Sequence, residues 1–217
     1  IIFHAAALKH VTICEENISE AIRTNVLATY NLTELVEKYK SEYFVLISTD
    51  KAVSPSSAMG ATKRIAEIVI QTMDKYTKSS SRFIAVRFGN VLGSTGSVVP
   101  LFQKQIKRGG PLTVTDKNVT RFFMTIQEAV DLVVSSSSEQ FLLNSKSRGR
   151  ISVLNMGSSI KIDTLAKQII KLAGFTPGKE IKIKYIGLQK GEKLNEMLYD
   201  ANEKRIDIGS SYKFYIY

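Results

Sequence analysis

The sequence predicts an α/β fold in which parallel strands are joined by crossover helices. Short runs rich in β-branched and aromatic residues alternate with longer stretches whose apolar residues recur at steps of three and four. Gly, Pro and Ser clusters fall at the junctions between them. The length, 217 residues, makes one full domain plus an appendage at roughly 150 residues per domain. That is enough chain to bury a core.

Taken in order, Ile1 to Phe3 reads as a strand. Ile18, Ile22, Asn25, Thr29, Leu32 and Val36 then recur at steps of four and three, which draws one helix face. Tyr43 to Thr49 is an apolar run of strand length. Ser54-Pro55-Ser56-Ser57 makes a turn, and Met59 to Tyr76, rich in Ala, Ile, Lys and Glu, reads as a helix. Phe83 to Phe88 is a third strand. Gly89, Gly93 and Gly96 loosen the backbone before a helix from about Val98 to Arg108. Beyond Gly109-Gly110-Pro111 the elements shorten: a strand near Leu112 to Thr115, helices near Ile126 to Val134 and Ile162 to Leu172, and a strand at Ile181 to Tyr185. Ser135 to Ser138 is the one low-complexity tract, and no repeat is visible.

The net charge of +10 is divided equally, +5 in residues 1–110 and +5 in 111–217. A nucleic-acid footprint gathers on one face or helix and, for single strands, needs aromatic platforms. Here the charge is spread and the aromatics sit mainly in apolar strand runs. A basic nucleic-acid-binding module is therefore the remote alternative, and a solvated surface that also suits an anionic small molecule comes first. Cys14 is the only cysteine, which forbids an internal disulfide and fits a reducing compartment; it reads as a small core residue. No apolar run approaches the ~18 residues of a spanning helix, so no membrane contact is expected of this chain. The opening Ile1-Ile2-Phe3-His4 has the look of a piece of a longer protein. His4 and His10, without a carboxylate or Cys cluster, make a poor metal pair, and no metal is expected.

In a parallel sheet, function sits beyond the carboxyl ends of the strands. Three segments stand there. His4-Ala5-Ala6-Ala7 offers small residues that let a ligand approach the backbone, as Ala-rich strand ends in plain cores also do. Ser48-Thr49-Asp50-Lys51 sets an acid beside an amine and next to hydroxyls, a combination able to donate and accept protons in one small space; the same residues also suit a helix N-cap and a surface ion pair. Arg87-Phe88-Gly89-Asn90-Val91-Leu92-Gly93 again permits close approach.

Ser48-Thr49-Asp50-Lys51-Ala52-Val53, Pro55 and Met59-Gly60-Ala61-Thr62-Lys63-Arg64 closely resemble the extended short-chain dehydrogenase/reductases, specifically the capsular-type polysaccharide-biosynthesis nucleotide-sugar 4,6-dehydratases. The resemblance runs on through Thr24-Asn25-Val26-Leu27, Gly96 to Phe102, Thr120-Arg121-Phe122-Phe123-Met124-Thr125 and Gly191-Glu192-Lys193-Leu194. It implies a partial Rossmann-like, doubly wound parallel sheet without its N-terminal βαβ units, joined to a smaller mixed α/β substrate-binding portion. Residues 1–110 would be the C-terminal part of the NAD-binding domain with the catalytic residues, and 111–217 mainly the nucleotide-sugar-binding portion, interleaved with the first.

The family pairs Tyr and Lys one helical turn apart. Lys63 matches the lysine and by resemblance binds the nicotinamide ribose; Met59 stands at the tyrosine position. A thioether cannot take a proton, so the C4 hydroxyl proton must pass to another group, with Thr49 and Lys51 the candidates. The implied reaction has three parts: NAD takes the C4 hydride, water leaves across C5 and C6, and the hydride returns to C6. Elimination needs an acid for the departing hydroxyl, assigned by resemblance to Asp50, and a base for the C5 hydrogen, assigned to Lys51. Burial favours the required neutral forms of both, and their mutual ion pair opposes them. Asn25 matches the asparagine that buttresses the lysine. His4, Ala5, Ala6, Phe88 and Asn90 would line the cofactor, while Asn90, Ser94, Arg121 and Glu192 would meet a UDP-sugar, UDP-N-acetylglucosamine first among them. No G-x-G-x-x-G occurs, so the pyrophosphate turn and the acidic residue that reads the adenosine ribose are expected upstream of Ile1. The resemblance also implies a homo-oligomer in the cytoplasm, or at the cytoplasmic face of a bacterial inner membrane should upstream helices anchor it. A nucleotide-sugar epimerase or reductase of the same superfamily is the alternative, and would not need the Asp50-Lys51 pair.

Overall fold

The computed structural model describes residues 1–142, 148–207 and 213–216. In chain order the elements are strand β1 (Ile2–His4), helices α1 (Val11–Glu16) and α2 (Ile18–Ile22), a π turn (Arg23–Leu27), α3 (Ala28–Tyr39), β2 (Tyr43–Thr49), a 3-10 turn (Asp50–Ala52), α4 (Ala58–Tyr76), β3 (Arg82–Phe88), β4 (Asn90–Val91), α5 (Val98–Lys107), β5 (Leu112–Val114), β6 (Thr120–Arg121), β7 (Phe123–Met124), α6 (Ile126–Leu142), β8 (Ile151–Leu154), β9 (Ile160–Lys161), α7 (Ile162–Leu172), β10 (Ile183–Tyr185), β11 (Arg205–Asp207) and β12 (Lys213–Ile216).

The three strands expected from the first third lie side by side. The main sheet runs β1-β2-β3-β8-β12-β11, with β1 parallel to β2 and β2 parallel to β3 over its full length, Tyr43 opposite Arg82 and Thr49 opposite Phe88. β8 continues the parallel set, and β12 and β11 close it antiparallel. Alternation along β2 and β3 divides the core. Phe44, Leu46, Phe83 and Ala85 pack with Val36, Ala66 and Ile70 of α3 and α4; Val45, Ile84 and Val86 pack with Ala129 and Val133 of α6. Helices cover both faces, so β3 is buried at every position, as a central parallel strand requires. Its two arginines survive burial because each is paired. Arg82 meets Asp74, and Arg87 meets Glu67 and Glu203, which satisfies charges that would otherwise be costly in the interior.

A second cluster, Phe102, Ile106, Leu112, Val114, Ile162, Ala166 and Ile170 among others, gathers α5, α7 and the β5–β10 pair into a smaller lobe. The segment from Ile186 to Lys204 carries no regular helix or strand and ties this lobe back to the sheet. Lys193 Nζ donates to Val53 O at 2.6 Å, Ser56 Oγ to Gly191 O at 3.0 Å, and Arg87 Nη1 to Leu198 O at 3.1 Å.

The structure extends several expectations. α6 runs past Val134 through the serines, where the Ser135, Ser137 and Ser138 hydroxyls bond back to the carbonyls of Leu132, Val133 and Ser135 and so are satisfied within the helix. Four residues of the aromatic tail form β12, with Ile216 in the main core; Tyr212 and Tyr217 lie outside the described residues. Among the described residues no helix is long and apolar enough to cross a membrane.

Candidate active site

A cleft of about 510 Å³ opens beyond the carboxyl ends of β2 and β3, between the sheet and the smaller lobe. It is lined by Ala5, Thr49, Lys51, Met59, Lys63, Phe88, Asn90, Ser94, Arg121 and Glu192, together with Ala7 and His10. A smaller recess of about 270 Å³ adjoins it and shares His10, Lys51, Thr115, Arg121 and Glu192. Most of the residues singled out from the sequence therefore meet in one place, drawn from segments far apart in the chain.

The loop that carries Thr49, Asp50 and Lys51 grows directly out of β2. Thr49 is the last extended residue, and its Oγ1 accepts from Lys51 N, which winds Asp50–Ala52 into a 3-10 turn. Thr49 Oγ1 donates to Asp50 Oδ1 at 3.0 Å, and Lys51 Nζ donates to the same oxygen at 2.9 Å. Lys51 Nζ also donates to Asn90 Oδ1 at 3.2 Å. The Asn90 amide is held the right way round by donating to Phe122 O. Asp50 is fully buried and does not line the cleft; its second oxygen, Oδ2, is buried without a hydrogen-bond partner among the described residues. Gly89 passes so close that a Cβ there would lie 3.1 Å from Oδ2.

α4 supplies the next two groups. Ser57 caps it by accepting from Gly60 N. Met59 and Lys63 then fall one turn apart on the face turned to the cleft. Lys63 Nζ donates to Ile47 O at 2.6 Å, leaving two of its three N–H groups for a ligand. Burial pushes its amine down to about 8, with Glu67 opposing the shift. Gly60 permits this seat: a Cβ at that position would stand 2.3 Å from the Lys51 carbonyl oxygen.

Asn25 lies in the π turn, a form of irregular helix common at functional sites. Its amide bridges both backbone groups of Leu8, at 2.8 and 3.0 Å, and reaches Thr62 Oγ1 at 3.0 Å. It thus fastens the loop after β1 to the helix that bears Lys63, touching the neighbour of that lysine. His4 sits beneath the cleft, its Nε2 3.1 Å from Thr29 Oγ1, and burial and then Lys63 lower its pKa. Neither His4 nor Ala6 lines the cleft, whereas Ala5 and Ala7 do. Arg121 Nη2 donates to Glu192 Oε1 at 2.8 Å, and Nη1 to the carbonyls of Thr120 and Leu194.

One residue escaped the sequence. Glu196, on the returning segment, is buried, with Oε1 3.9 Å from Lys51 Nζ and Oε2 3.8 Å from Lys193 Nζ. Burial raises its carboxyl above the usual range; Lys51, Arg121 and Lys193 pull it down and Asp50 pushes it further up. Its position in Gly191-Glu192-Lys193-Leu194-Asn195-Glu196 carries no spacing signal that would have found it.

The sheet, the helices on both faces and a cleft at the strand ends define a doubly wound α/β protein of the Rossmann type. The chain belongs to the polysaccharide biosynthesis protein family, whose model matches residues 1–215. It is 50% identical over 202 residues to the capsular polysaccharide biosynthesis protein CapD of Staphylococcus aureus, a match spanning 93% of this chain and 32% of CapD. It is 37% identical over 215 residues to a UDP-glucose 4-epimerase of Rickettsia akari, spanning 98% of this chain and 60% of that protein. Among solved structures it superposes on Pen from Bacillus thuringiensis with a TM-score of 0.88 at 36% identity, covering 99% of this chain and 64% of that one. The chain thus spans about a third of CapD and under two thirds of the other two.

Proposed function

We propose that this chain carries the catalytic and sugar-binding part of an NAD-dependent nucleotide-sugar 4,6-dehydratase, acting on a UDP-N-acetylhexosamine, UDP-N-acetylglucosamine first, to supply a 4-keto-6-deoxy sugar for capsule or other surface polysaccharide. The observation that carries the reading is Lys51 at the cleft wall, hydrogen-bonded to Asp50 and Asn90, where a base and an acid of opposite proton roles stand side by side. The cleft suits the nicotinamide half of the cofactor: Ala5 and Ala7 leave room at the strand end, Met59 and Phe88 give apolar walls, and Lys63 keeps N–H groups free for ribose hydroxyls. When bound, NAD supplies the hydride acceptor for C4 and the hydride donor for C6.

The chain's own residues do the rest. Met59 cannot accept the C4 hydroxyl proton, so it passes either to Thr49, whose own hydroxyl proton moves on to the Asp50 carboxylate it bonds, or to Lys51, which sheds it to solvent before the C5 step; both stand on the cleft wall. Lys63 places positive charge beside the C4 oxygen. Lys51 removes the C5 hydrogen. Asp50 provides the proton for the departing C6 hydroxyl, and because it is walled off from the cleft its route runs through Thr49 Oγ1, in contact with it at 3.0 Å. Arg121 turns from Glu192 to the nucleotide diphosphate, a task its fork of donors fits; Ser94 and Asn90 hold the sugar. The chemistry belongs in the cytoplasm or at the cytoplasmic face of the inner membrane, in a homo-oligomer.

A second reading, an epimerase, is favoured by the likeness to the Rickettsia enzyme. Incubating the intact protein with UDP-N-acetylglucosamine and NAD in deuterated water separates the two. The dehydratase gives a 4-keto-6-deoxy product with solvent deuterium at C5. A product that keeps its 6-hydroxyl and is inverted at C4 would replace the dehydratase with the epimerase, and no turnover of any UDP-sugar would sink both.

A further inference from the structure

Lys51 is the only cleft-lining cation with two carboxylates within ion-pair range among the described residues. Asp50 and Asn90 accept two of its three N–H groups. Among the described residues the third meets no acceptor at hydrogen-bond distance, and the remaining carboxylate at hand is Glu196, 3.9 Å away. Glu196 is a buried side chain, and its Oε2 lacks a hydrogen-bond partner among the described residues. A buried carboxylate left short of partners is costly, so its retention here calls for a use. Its segment is pinned ahead of it, through Lys193 to Val53 O and through Thr120 Oγ1 to Asn195 Oδ1 at 2.8 Å, and beyond it, through Arg87 Nη1 to Leu198 O at 3.1 Å, which holds the carboxyl near Lys51 of the 3-10 turn.

We propose that Glu196 is a positioning residue for Lys51, a second carboxyl beside its amine that stabilises the ammonium formed when Lys51 takes the sugar's C5 proton. The inference rests on the dehydratase reading. In that step the C5–H bond breaks, its electron pair stays on the 4-keto sugar as an enolate, and the proton adds to Lys51 Nζ. With Asp50 still holding its own proton at this stage, the new positive charge is met by the Glu196 carboxylate, 3.9 Å from Lys51 Nζ, an electrostatic gain that appears as charge develops. The charged groups that face Glu196 are Lys51 and Asp50 from the 3-10 turn, Arg121 from β6 and Lys193 from its own segment.

Two measurements on the intact, NAD-loaded protein test this. The first needs no turnover: the Glu196 carboxyl carbon is followed by NMR in protein labelled with 13C-glutamate, with Glu196→Gln assigning the signal. Its midpoint should lie above the ordinary carboxylate range and climb by about one pH unit in Lys51→Met, since an opposite charge at this range has been removed. The second is C5 deuterium exchange in UDP-N-acetylglucosamine. Glu196→Gln should lower kcat at least tenfold with KM changed less than twofold, and Glu196→Asp should recover part of the loss. A midpoint indifferent to Lys51→Met, exchange by Glu196→Gln at the wild-type rate, or a rise in KM matching the fall in kcat would each overturn the proposal. A wild-type protein that exchanges no C5 hydrogen would sink the dehydratase reading, while the titration would still decide whether Glu196 and Lys51 are coupled.

Discussion

Lys63 carries a charge where charge is costly. Folding lowers its amine from 10.5 to about 8 through burial. Between those values the unfolded chain holds a proton that the folded one has released, so stability rises with pH across this window. The penalty is complete below pH 8 and gone above about pH 10.5, and it amounts to roughly 3 kcal/mol. Chemical denaturation should therefore find Lys63→Met gaining on the wild type most at pH 7 and least near pH 10.5. A difference that stays constant with pH would mean that the amine is solvated. At the reacting end, Asp50→Asn and Lys51→Ala should each cost roughly 10² to 10⁴ in rate with little change in substrate affinity. Lys51→Ala should also abolish C5 exchange; exchange at the wild-type rate would remove Lys51 as the base. Met59→Tyr should bring no large gain in the same assay if Thr49 or Lys51 takes the C4 proton as proposed, and a severalfold gain would contradict that.

At the scale of the element, the first turn of α4 sets the distance between Lys63 and the 3-10 turn. The two backbones meet at Gly60, where an added Cβ would also lie 3.2 Å from Pro55 Cβ. Neither neighbour is a flexible side-chain end. Gly60→Ala must therefore push the helix off the turn, at a cost of about 1–3 kcal/mol for overpacking, against the smaller gain that Ala gives a helix. Denaturation midpoints should fall and C5 exchange with them, and unchanged stability would show that the helix start yields freely. The elements also differ in how far they could be foreseen. β2 and β3 were legible because burial on both faces leaves an unbroken apolar run. β8 was not: Ile151-Ser152-Val153-Leu154 is four residues long and begins next to Arg150, and only its pairing with Ala85 to Arg87 makes it a strand. The π turn around Asn25 was invisible too, since its residues continue the same helical periodicity on either side.

For the whole molecule, the site was legible wherever local motifs carried it. Lys51 and Lys63 lie on segments that adjoin strands, and their neighbours marked them. Glu196 and the pairing of Arg87 with Glu203 were not legible, because they depend on an irregular segment that returns from the smaller lobe across the carboxyl end of the sheet. No periodicity announces such a path, and its position follows from contacts made one by one.

The short strand β1 has a bearing on how the chain behaves when handled alone. It is paired with β2 on one side, and among the described residues its other rim has no strand, with Ile1 63% and Phe3 50% exposed beside it. A bare rim flanked by greasy side chains is a template for stray strands of other molecules. Prepared in isolation, these 217 residues should form soluble clusters that grow with concentration, and Phe3→Lys should reduce them in light scattering without changing the unfolding midpoint. Clusters that form equally in the variant would place the stickiness elsewhere, on the exposed apolar residues of the helices. Reduced clustering in Phe3→Lys would make shelf life, more than fold, hang on the first three residues of the chain.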